Sequence, residues 1–384
     1  MRFEIATATR IIFGPGCARE LTALAKEFGG AVLIVTGSST RRAEPLFAEL
    51  HKQGVSTAAF PIADEPSVPL IEEGIARARE AGCQWVIGFG GGSALDSGKA
   101  IAAMLANDGE LLDYLEVIGR GKTLSKPSVP FVAVPTTAGT GSEVTRNAVL
   151  SSPAHRVKVS LRSPLMLPRV ALVDPELTYD LPPDVTASTG LDALTQVIEP
   201  YLCSRANPMT DAVCVEGITR AARSLRAACE NGRNTQARED MSVASLFGGF
   251  ALANAGLGAV HGFAGPIGGM FPAPHGAVCA ALLPHVMAVN FRALTERQPG
   301  HPVLGRFERV ARLLTGRDHA SARDGVEWVQ ELVADLKIPG LAHYGITPEH
   351  TAELVEKATH ASSMKANPIA LTPVELSGIL QAAL

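Results

Sequence analysis

Short apolar runs alternate with amphipathic stretches through the first half of the chain. The run AVLIVTG (31–37) is rich in β-branched residues and ends at a glycine, a pattern typical of a buried strand. It is followed by SSTRRAEPLFAELHKQG, which has a helical pattern that Pro45 interrupts. The same order of strand and helix continues through STAAFPI, PSVPLIEEGIARAREAG, QWVIGFGGG and ALDSGKAIAAMLAN. We therefore predict a parallel sheet covered by helices on both faces.

The character of the chain changes near residue 180. PFVAVPTT (130–137) and RVALVDP (169–175) predict two further strands, but after LPPDV (181–185) strand-like runs become rare and Ala/Leu-rich helical patterns dominate. Proline and aspartate at this point favour the start of a helix. We predict an α/β domain over residues 1–180 and an all-helical domain over residues 181–384.

Length and charge narrow the class of function. A chain of 384 residues exceeds what a single core usually serves, which agrees with two domains. The net charge of −4 gives no basic footprint, so neither nucleic acid nor an anionic membrane is an expected partner. No apolar run approaches the ~20 residues of a membrane-spanning helix, and the N-terminus lacks the apolar segment of a signal peptide. We expect a cytoplasmic protein that acts on a small molecule.

Six cysteines are scattered along the chain without a Cys-x-x-Cys pair. This spacing argues against a disulfide framework and against a thiolate zinc site, and it suits a reducing compartment.

A glycine-rich turn follows the predicted strand WVI and opens a helix. Gly90, Gly91 and Gly92 lack the β-carbons that would block a phosphate, and Ser93 could cap the helix, whose N-terminus presents free N–H groups to an anion. Ser93 replaces the third glycine of the G-x-G-x-x-G dinucleotide fingerprint. A tight turn without a ligand is the alternative interpretation.

A second polar segment, VPTTAGTGSEVTR, follows the strand that ends near residue 135. Thr136, Thr137, Thr140 and Ser142 could each donate to ribose, phosphate or carboxamide groups, although such a segment alone is usually a polar loop. Because open α/β sheets bind ligands at the carboxyl ends of their strands, two such loops together favour a nucleotide site.

The helical half contains candidate metal ligands. In LDALTQVIEP, Asp192 and Gln196 stand at i and i+4 and so project from one helical face. His261 and His275 each precede a glycine, where a lone histidine more often ends a helix or lies satisfied in the core.

Six motifs occur in an order that resembles the iron-containing (group III) alcohol dehydrogenase family, over essentially the whole chain. They are GGGSALDSGKA, PTTAGTGSEVTR, VALVDPELT, TGLDAL, HGFAGPIGG and PHGAVCA. The resemblance implies a dehydroquinate synthase-like fold, with a nucleotide-binding α/β domain followed by a helical metal-binding domain. It also implies an NAD(P)-dependent, metal-assisted enzyme that interconverts an alcohol and an aldehyde or ketone, and commonly a homodimer or larger homo-oligomer.

The resemblance assigns the glycine turn, with Asp96 in its motif, to the cofactor pyrophosphate and the Thr136–Thr140 loop to the nicotinamide. Lys158 matches a lysine that reaches the cofactor; a surface lysine beside a strand is the alternative. Where NAD-preferring relatives carry an aspartate, this chain has Gly37 and Ser38, followed by Arg41 and Arg42. Loss of the carboxylate removes its repulsion of a 2′-phosphate, and an arginine could pair with that phosphate. NADP, or dual use of NADP and NAD, is therefore expected.

Asp192, His261 and His275 match the family's metal ligands, which typically comprise one aspartate and three histidines. Gln196 stands in place of the missing histidine and is a further, weaker candidate, because an amide oxygen is a poorer donor than imidazole. Branches with one aspartate and two histidines hold zinc, so Fe²⁺ and Zn²⁺ both stay open. Gly265 stands where many relatives place a histidine that assists proton transfer. No catalytic residue beyond the metal ligands is therefore assigned.

Two alternatives stay open at this point. One is a metal-weak or metal-free reductase that resembles maleylacetate reductase or a hydroxyacid–oxoacid transhydrogenase, for which Arg146 is the candidate carboxylate-binding group. The other is a non-catalytic nucleotide-binding protein.

Overall fold

The structure is a computed structural model that describes residues 2–63, 65–155 and 157–384. By their internal contacts these residues form two compact units. The first in the chain covers residues 6–137 and 141–178, and the second covers Ala138–Thr140 and Tyr179–Leu384 together with the N-terminal residues 2–5. We call them the sheet unit and the helical unit.

In the described residues, the sheet unit contains a six-stranded parallel sheet in the order β1-β8-β5-β4-β2-β3 and a separate antiparallel hairpin, β6–β7. The strands are β1 (Arg10–Phe13), β2 (Ala31–Thr36), β3 (Thr57–Pro61), β4 (Cys83–Gly90), β5 (Phe131–Pro135), β6 (Asn147–Ser152), β7 (Val157–Arg162) and β8 (Val170–Val173). The α-helices of this unit are α1 (Leu21–Phe28), α2 (Glu44–Lys52), α3 (Val68–Glu80), α4 (Gly92–Ala106) and α5 (Leu111–Tyr114).

Both faces of this sheet are buried, as the apolar runs of its strands predict. Along β2, Leu33 and Val35 pack into one apolar cluster, while Val32 and Ile34 pack into the cluster on the opposite face. This alternation follows from the two-residue period of a strand. The five strands predicted from the sequence are present, whereas β1 and the hairpin had not been predicted. Pro45 does not interrupt a helix: it lies in the first turn of α2, where proline is tolerated.

The helical unit is built around one large apolar cluster. Its α-helices are α6 (Pro183–Leu202), α7 (Pro208–Glu230), α8 (Thr235–Asn254), α9 (Ala259–Met270), α10 (His275–Arg297), α11 (Val303–Thr315), α12 (Ala322–Asp335), α13 (Thr351–His360) and α14 (Pro373–Ala383). The predicted fold class, a parallel-sheet α/β part followed by a mostly helical part, is confirmed.

By length and composition alone, α10 could cross a membrane, and so could α8 and α9 if this pair, bent by 95°, were a single span. However, 78% of the most apolar window of α10 is buried inside the helical unit, as is usual for a core helix.

Candidate metal centre and nucleotide-binding loops

Helix α6 presents a row of three polar side chains. Asp192, Gln196 and Glu199 stand at i, i+4 and i+7, which places them on one face of the helix, and all three are buried. Glycine lets a neighbouring helix approach this row, because a β-carbon on Gly248 of α8 would lie 2.9 Å from Cβ of Gln196. The row is thus enclosed by the packing of the helical unit.

Helix α9 places His261 opposite this row. The backbone N–H of Val260 donates to Oε1 of Glu199 at 2.7 Å, and that of Ala259 donates to Oδ1 of Asn367 at 3.0 Å. These contacts satisfy N–H groups of the first turn, which have no partner within a helix. The start of α9 is therefore fixed by two side chains distant in sequence.

The same glutamate also orients the His261 ring. Nδ1 of His261 lies 2.7 Å from Oε2 of Glu199, and because a carboxylate only accepts hydrogen bonds, Nδ1 carries the proton. In the neutral ring the lone pair is then on Nε2, which lies 3.4 Å from Oδ1 of Asp192. A histidine held through its other nitrogen by a carboxylate is the usual arrangement at protein metal sites.

Helix α10 contributes His275, its first residue, and Cys279 one turn later. Its start lies close to α6, since a β-carbon on Gly276 would be 2.4 Å from the carbonyl oxygen of Ser188. Nε2 of His275 is 3.8 Å from Oδ1 of Asp192, and Sγ of Cys279 is 3.7 Å from Nε2 of His275 and 3.8 Å from Nε2 of His261.

One ligand atom from each of Asp192, His261, His275 and Cys279 thus lies within 4.8 Å of the other three. Among the described residues, Oδ1 of Asp192 and Oε1 of Gln196 are buried without a hydrogen-bond partner. A buried acceptor without a donor costs about 1–3 kcal/mol, and a cation is the group that would satisfy several such acceptors together. The donor chemistry therefore fits a divalent transition metal.

Electrostatics inside the cluster agree with this interpretation. Burial alone would raise the pKa of Asp192, but His275 and His261 outweigh it and hold that pKa at about 2. Burial likewise lowers the pKa of His261, and the sulfur of Cys279 with the carboxylates of Asp192 and Glu199 raises it well above its usual value. The cluster thus attracts positive charge, either as protons or as a cation.

The sheet unit carries the predicted nucleotide loops at the carboxyl ends of its strands. A β-carbon on Gly90 would lie 3.2 Å from the backbone nitrogen of Gly37, so β2 and β4 end side by side. A β-carbon on Gly91 would meet the Thr137 side chain at 3.3 Å, which brings the two polar loops together. Ser93 does not cap α4, because it lies inside the first turn of the helix. The N-cap residue is Gly91, which has no side chain that could accept a hydrogen bond.

Other predicted cofactor residues have protein partners. Asp96 accepts a hydrogen bond from the hydroxyl of Ser142 at 2.5 Å and one from the backbone N–H of Val149 at 2.9 Å, so it holds the second loop in place. Thr136 is buried, and its N–H donates to the carbonyl of Gly90. Nζ of Lys158, on β7, lies 2.5 Å from Oε1 of Glu65. Thr140 belongs to the helical unit.

The two arginines after β2, Arg41 and Arg42, differ in whether a hydrogen bond to another described residue holds the guanidinium group. The guanidinium of Arg42 donates to the carbonyl of Leu177 at 2.5 Å, while the backbone N–H of Arg41 donates to the Ser39 hydroxyl at 3.2 Å. Arg41 is therefore the better placed of the two to meet a phosphate near Gly37 and Ser38.

Sequence reasoning missed Glu199 and Cys279. Both had a signal in helical spacing, since Glu199 is seven residues after Asp192 and Cys279 is four residues after His275. The absence of a Cys-x-x-Cys pair argues against a site built from paired cysteines, but it does not address a single cysteine that packing brings beside ligands from other helices.

Two family models match the chain. The model described as iron-containing alcohol dehydrogenase matches residues 8–175, and the model of the C-terminal part of the Fe-containing alcohol dehydrogenase family matches residues 186–384. The chain belongs to the iron-containing alcohol dehydrogenase family. It is accordingly an oxidoreductase that acts on alcohols, as this family's relatives do.

Individual relatives of this alcohol dehydrogenase family agree over the full length. Long-chain-alcohol dehydrogenase 1 of Geobacillus thermodenitrificans is 35% identical, with 98% of this chain and 97% of that protein covered. The crystal structure of a 1,3-propanediol oxidoreductase superposes with a TM-score of 0.92 at 33% identity, covering 100% of both chains. Sulfoacetaldehyde reductase from Bifidobacterium kashiwanohense, solved in complex with NAD+, has a TM-score of 0.88 at 28% identity and covers 100% of this chain and 99% of its own. These relatives give no support to a metal-free reductase or to a non-catalytic nucleotide-binding protein over alcohol dehydrogenase activity.

Proposed function

We propose that this oxidoreductase interconverts a small or medium primary alcohol and its aldehyde, with a nicotinamide cofactor and a divalent metal, Fe²⁺ or Zn²⁺. Asp192, His261 and His275 hold the metal in this proposal, and Gln196 is a weaker further donor. The observation that carries it is the buried Oδ1 of Asp192, which faces two imidazole nitrogens and has no hydrogen-bond donor among the described residues.

When bound, the metal supplies a Lewis acid that lowers the pKa of an alcohol hydroxyl and polarises an aldehyde carbonyl. The protein's own contribution is to keep the ligand atoms in place. Glu199 fixes the proton of His261 on Nδ1, so that Nε2 stays a lone-pair donor. Gly265 follows His261 by one helical turn, and a β-carbon there would meet no atom within 4 Å, which leaves room for a substrate beside the histidine.

The nicotinamide cofactor supplies or accepts the hydride. We propose binding at the loops that contain Gly37, Ser38, Gly90–Gly92 and Thr136–Thr137, with NADP accepted at least as well as NAD. The argument for NADP is the absence of a carboxylate at Gly37 together with the nearby Arg41. The sulfoacetaldehyde reductase solved with NAD+ supports a nicotinamide cofactor, and the preference for NADP rests on the residues of this chain alone.

The decisive experiment measures metal content and activity together. Protein purified without oxygen is stripped with EDTA and then supplied with Fe²⁺ or Zn²⁺, and aldehyde reduction is followed with NADPH and with NADH. We expect activity to follow metal content and Asp192→Ala to abolish both. Asp335→Ala, which removes a half-exposed carboxylate paired with Arg226, is the matched control. Brisk aldehyde reduction with only trace metal would contradict the proposal.

A cytoplasmic location and a homodimer or larger homo-oligomer complete the proposal. All six cysteines have free thiols in the described residues, which suits a reducing compartment. Light scattering on the purified protein would give the number of subunits, and a monomer at every concentration would contradict the second part.

A further inference from the structure

We propose that the sulfur of Cys279 is a metal ligand, so that this site has an Asp–His–His–Cys donor set with Gln196 outside it. The inference rests on the metal site of the proposed function and deepens it. Its consequence is a preference for Zn²⁺ over Fe²⁺, because thiolate is a soft ligand and zinc accepts sulfur readily.

The spacing of the donor atoms supports this set. Zinc lies about 2.0–2.1 Å from histidine nitrogen and about 2.3 Å from cysteine sulfur, so the donors of a tetrahedral site stand roughly 3.3–3.6 Å apart. In the cluster, Nε2 of His261 and Oδ1 of Asp192 are 3.4 Å apart, and the Cys279 sulfur is 3.7 and 3.8 Å from the two Nε2 atoms. Nε2 of His275 and Oδ1 of Asp192 are 3.8 Å apart, so four of the six donor–donor distances are close to the tetrahedral spacing, and all six are within 4.8 Å.

The position of Cys279 is fixed by the fold. It is fully buried on α10, one turn after His275, so both side chains leave the same helical face. A thiol has one proton and cannot donate to both imidazole nitrogens at once. With neutral imidazoles the sulfur can therefore donate to only one of these nitrogens, and it belongs to the same group of candidate ligands as the unpartnered Oδ1 of Asp192.

Gln196 is the competing fourth donor. Its Oε1 is also buried without a partner, but it is a neutral amide oxygen and a weaker donor than a thiolate. Asp192, His261, His275 and Cys279 would hold the metal, and such a four-donor set would still allow Lewis-acid chemistry, because zinc at catalytic sites can expand to five ligands.

The test uses the stripped full-length protein supplied with Co²⁺, which takes the same sites as zinc and is coloured. Visible ligand-field bands report bound cobalt whatever the ligands, whereas a strong near-ultraviolet charge-transfer band reports a sulfur–cobalt bond. We expect both bands in the unsubstituted protein. In Cys279→Ser we expect the near-ultraviolet band to disappear, and in Gln196→Ala we expect both to persist.

Cys214→Ser is the matched control, since Cys214 is an equally buried thiol of the same unit outside the cluster. It should leave both bands unchanged. Competition with a chelator should show that Cys279→Ser weakens Zn²⁺ binding at least about tenfold, as loss of a group at a metal site commonly does, and weakens Fe²⁺ binding less. Circular dichroism and the thermal midpoint of the metal-free variant check that it folds.

Visible bands without a near-ultraviolet band in the unsubstituted protein would overturn the Cys279 proposal and leave the metal site standing. The same holds if the near-ultraviolet band survives in Cys279→Ser. Failure of the unsubstituted protein to bind cobalt, zinc or iron would overturn both proposals.

Discussion

Two buried polar clusters, one in each unit, differ in the balance between donors and acceptors. In the sheet unit, the fully buried ammonium of Lys99 contacts the carbonyls of Ser142 and Asn147, the hydroxyl of Thr145 and the carboxylate of Asp96, at 2.6–3.2 Å. Each of its protons therefore has an acceptor. This cluster is complete within the protein and joins α4 to the loop that precedes β6.

In the cluster of the helical unit, by contrast, not every acceptor has a hydrogen-bond donor among the described residues. Its candidate ligand atoms from Asp192, His261, His275 and Cys279 face one another, and Oδ1 of Asp192 has no hydrogen-bond partner in the part of the chain that the structure describes. A buried group that the protein satisfies itself stabilises the fold, whereas a set of acceptors left together creates affinity for a cation. Burial and charge alone do not distinguish the two kinds of site.

Substitution of Lys99 in the first cluster and of Asp192 in the second should give the largest difference between a cluster that stabilises the fold and one that binds a cation. Lys99→Met leaves several buried acceptors unpaired, and we expect it to lower the free energy of unfolding by about 3–5 kcal/mol. Asp192→Asn removes a carboxylate whose Oδ1 accepts no hydrogen bond. We expect it to lower the free energy of unfolding of the metal-free protein by at most about 2 kcal/mol, less than Lys99→Met does, because the attraction of the carboxylate to His275 and His261 is lost, while metal binding is lost.

Denaturant titration in the presence of EDTA measures both variants. Lys126→Met, at an exposed lysine paired with Asp108, is the control for loss of a lysine charge. An equal loss of stability in Lys99→Met and Asp192→Asn would show that the two clusters do not differ as described.

A smaller loss of metal affinity is expected from substitution of Glu199, which orients His261 but is not itself one of the candidate metal ligands. Glu199→Gln keeps an acceptor for Nδ1 of His261 but turns an amide N–H₂ group toward the N–H of Val260. We expect metal affinity to fall by about 10–100-fold, as for other groups that orient a ligand. A chelator competition measures this, with the exposed Glu331→Gln as control. Unchanged affinity would assign Glu199 a purely structural role.

The smallest effect concerns the pH dependence of stability at Glu143, a buried carboxyl group whose charge interacts with Lys99. Burial raises the pKa of Glu143 from 4.5 to about 7, more than the backbone hydrogen bond and Lys99 lower it. The folded state therefore binds this proton more tightly than the unfolded state, and stability is lost as pH rises from about 4.5 to about 7.

Glu143→Gln should remove that loss, so that the free energy of unfolding of the variant falls less between pH 5 and pH 8 than that of the unsubstituted protein. Denaturant titrations at pH 5 and pH 8, with the exposed Glu72→Gln as control, measure it. The prediction fails if the variant and the unsubstituted protein show the same pH slope.

The elements that the sequence predicts best are those buried on both sides. β2, β4 and β5 are continuous apolar runs because both sheet faces are covered, and such runs are hard to mistake. β1 was missed because RIIF is a short edge strand with two exposed residues. β6 lacks a clear alternation because the exposed Val149 stands between Ala148 and Leu150. β7 does alternate, with Val157, Val159 and Leu161 separated by polar residues, and this signal was overlooked.

At the candidate metal centre, the sequence predicted the residues that match family motifs and missed those that act through tertiary contact. Asp192, His261 and His275 are brought together as expected. Cys279 and Glu199 join them because three helices meet at this point, and no local pattern specifies which helices will meet. Helical spacing narrows the candidates, but packing selects among them.

The hydrogen bond from Ala259 to Asn367 has a consequence for biosynthesis. Asn367 also exchanges hydrogen bonds with Asn290, so residues from three distant parts of the chain hold the start of α9. A ribosome must therefore release nearly the whole chain before the His261 helix is anchored. The sheet unit can fold while synthesis continues, whereas a chain that ends before Asn367 lacks the side chain that accepts the N–H of Ala259 at the start of the His261 helix.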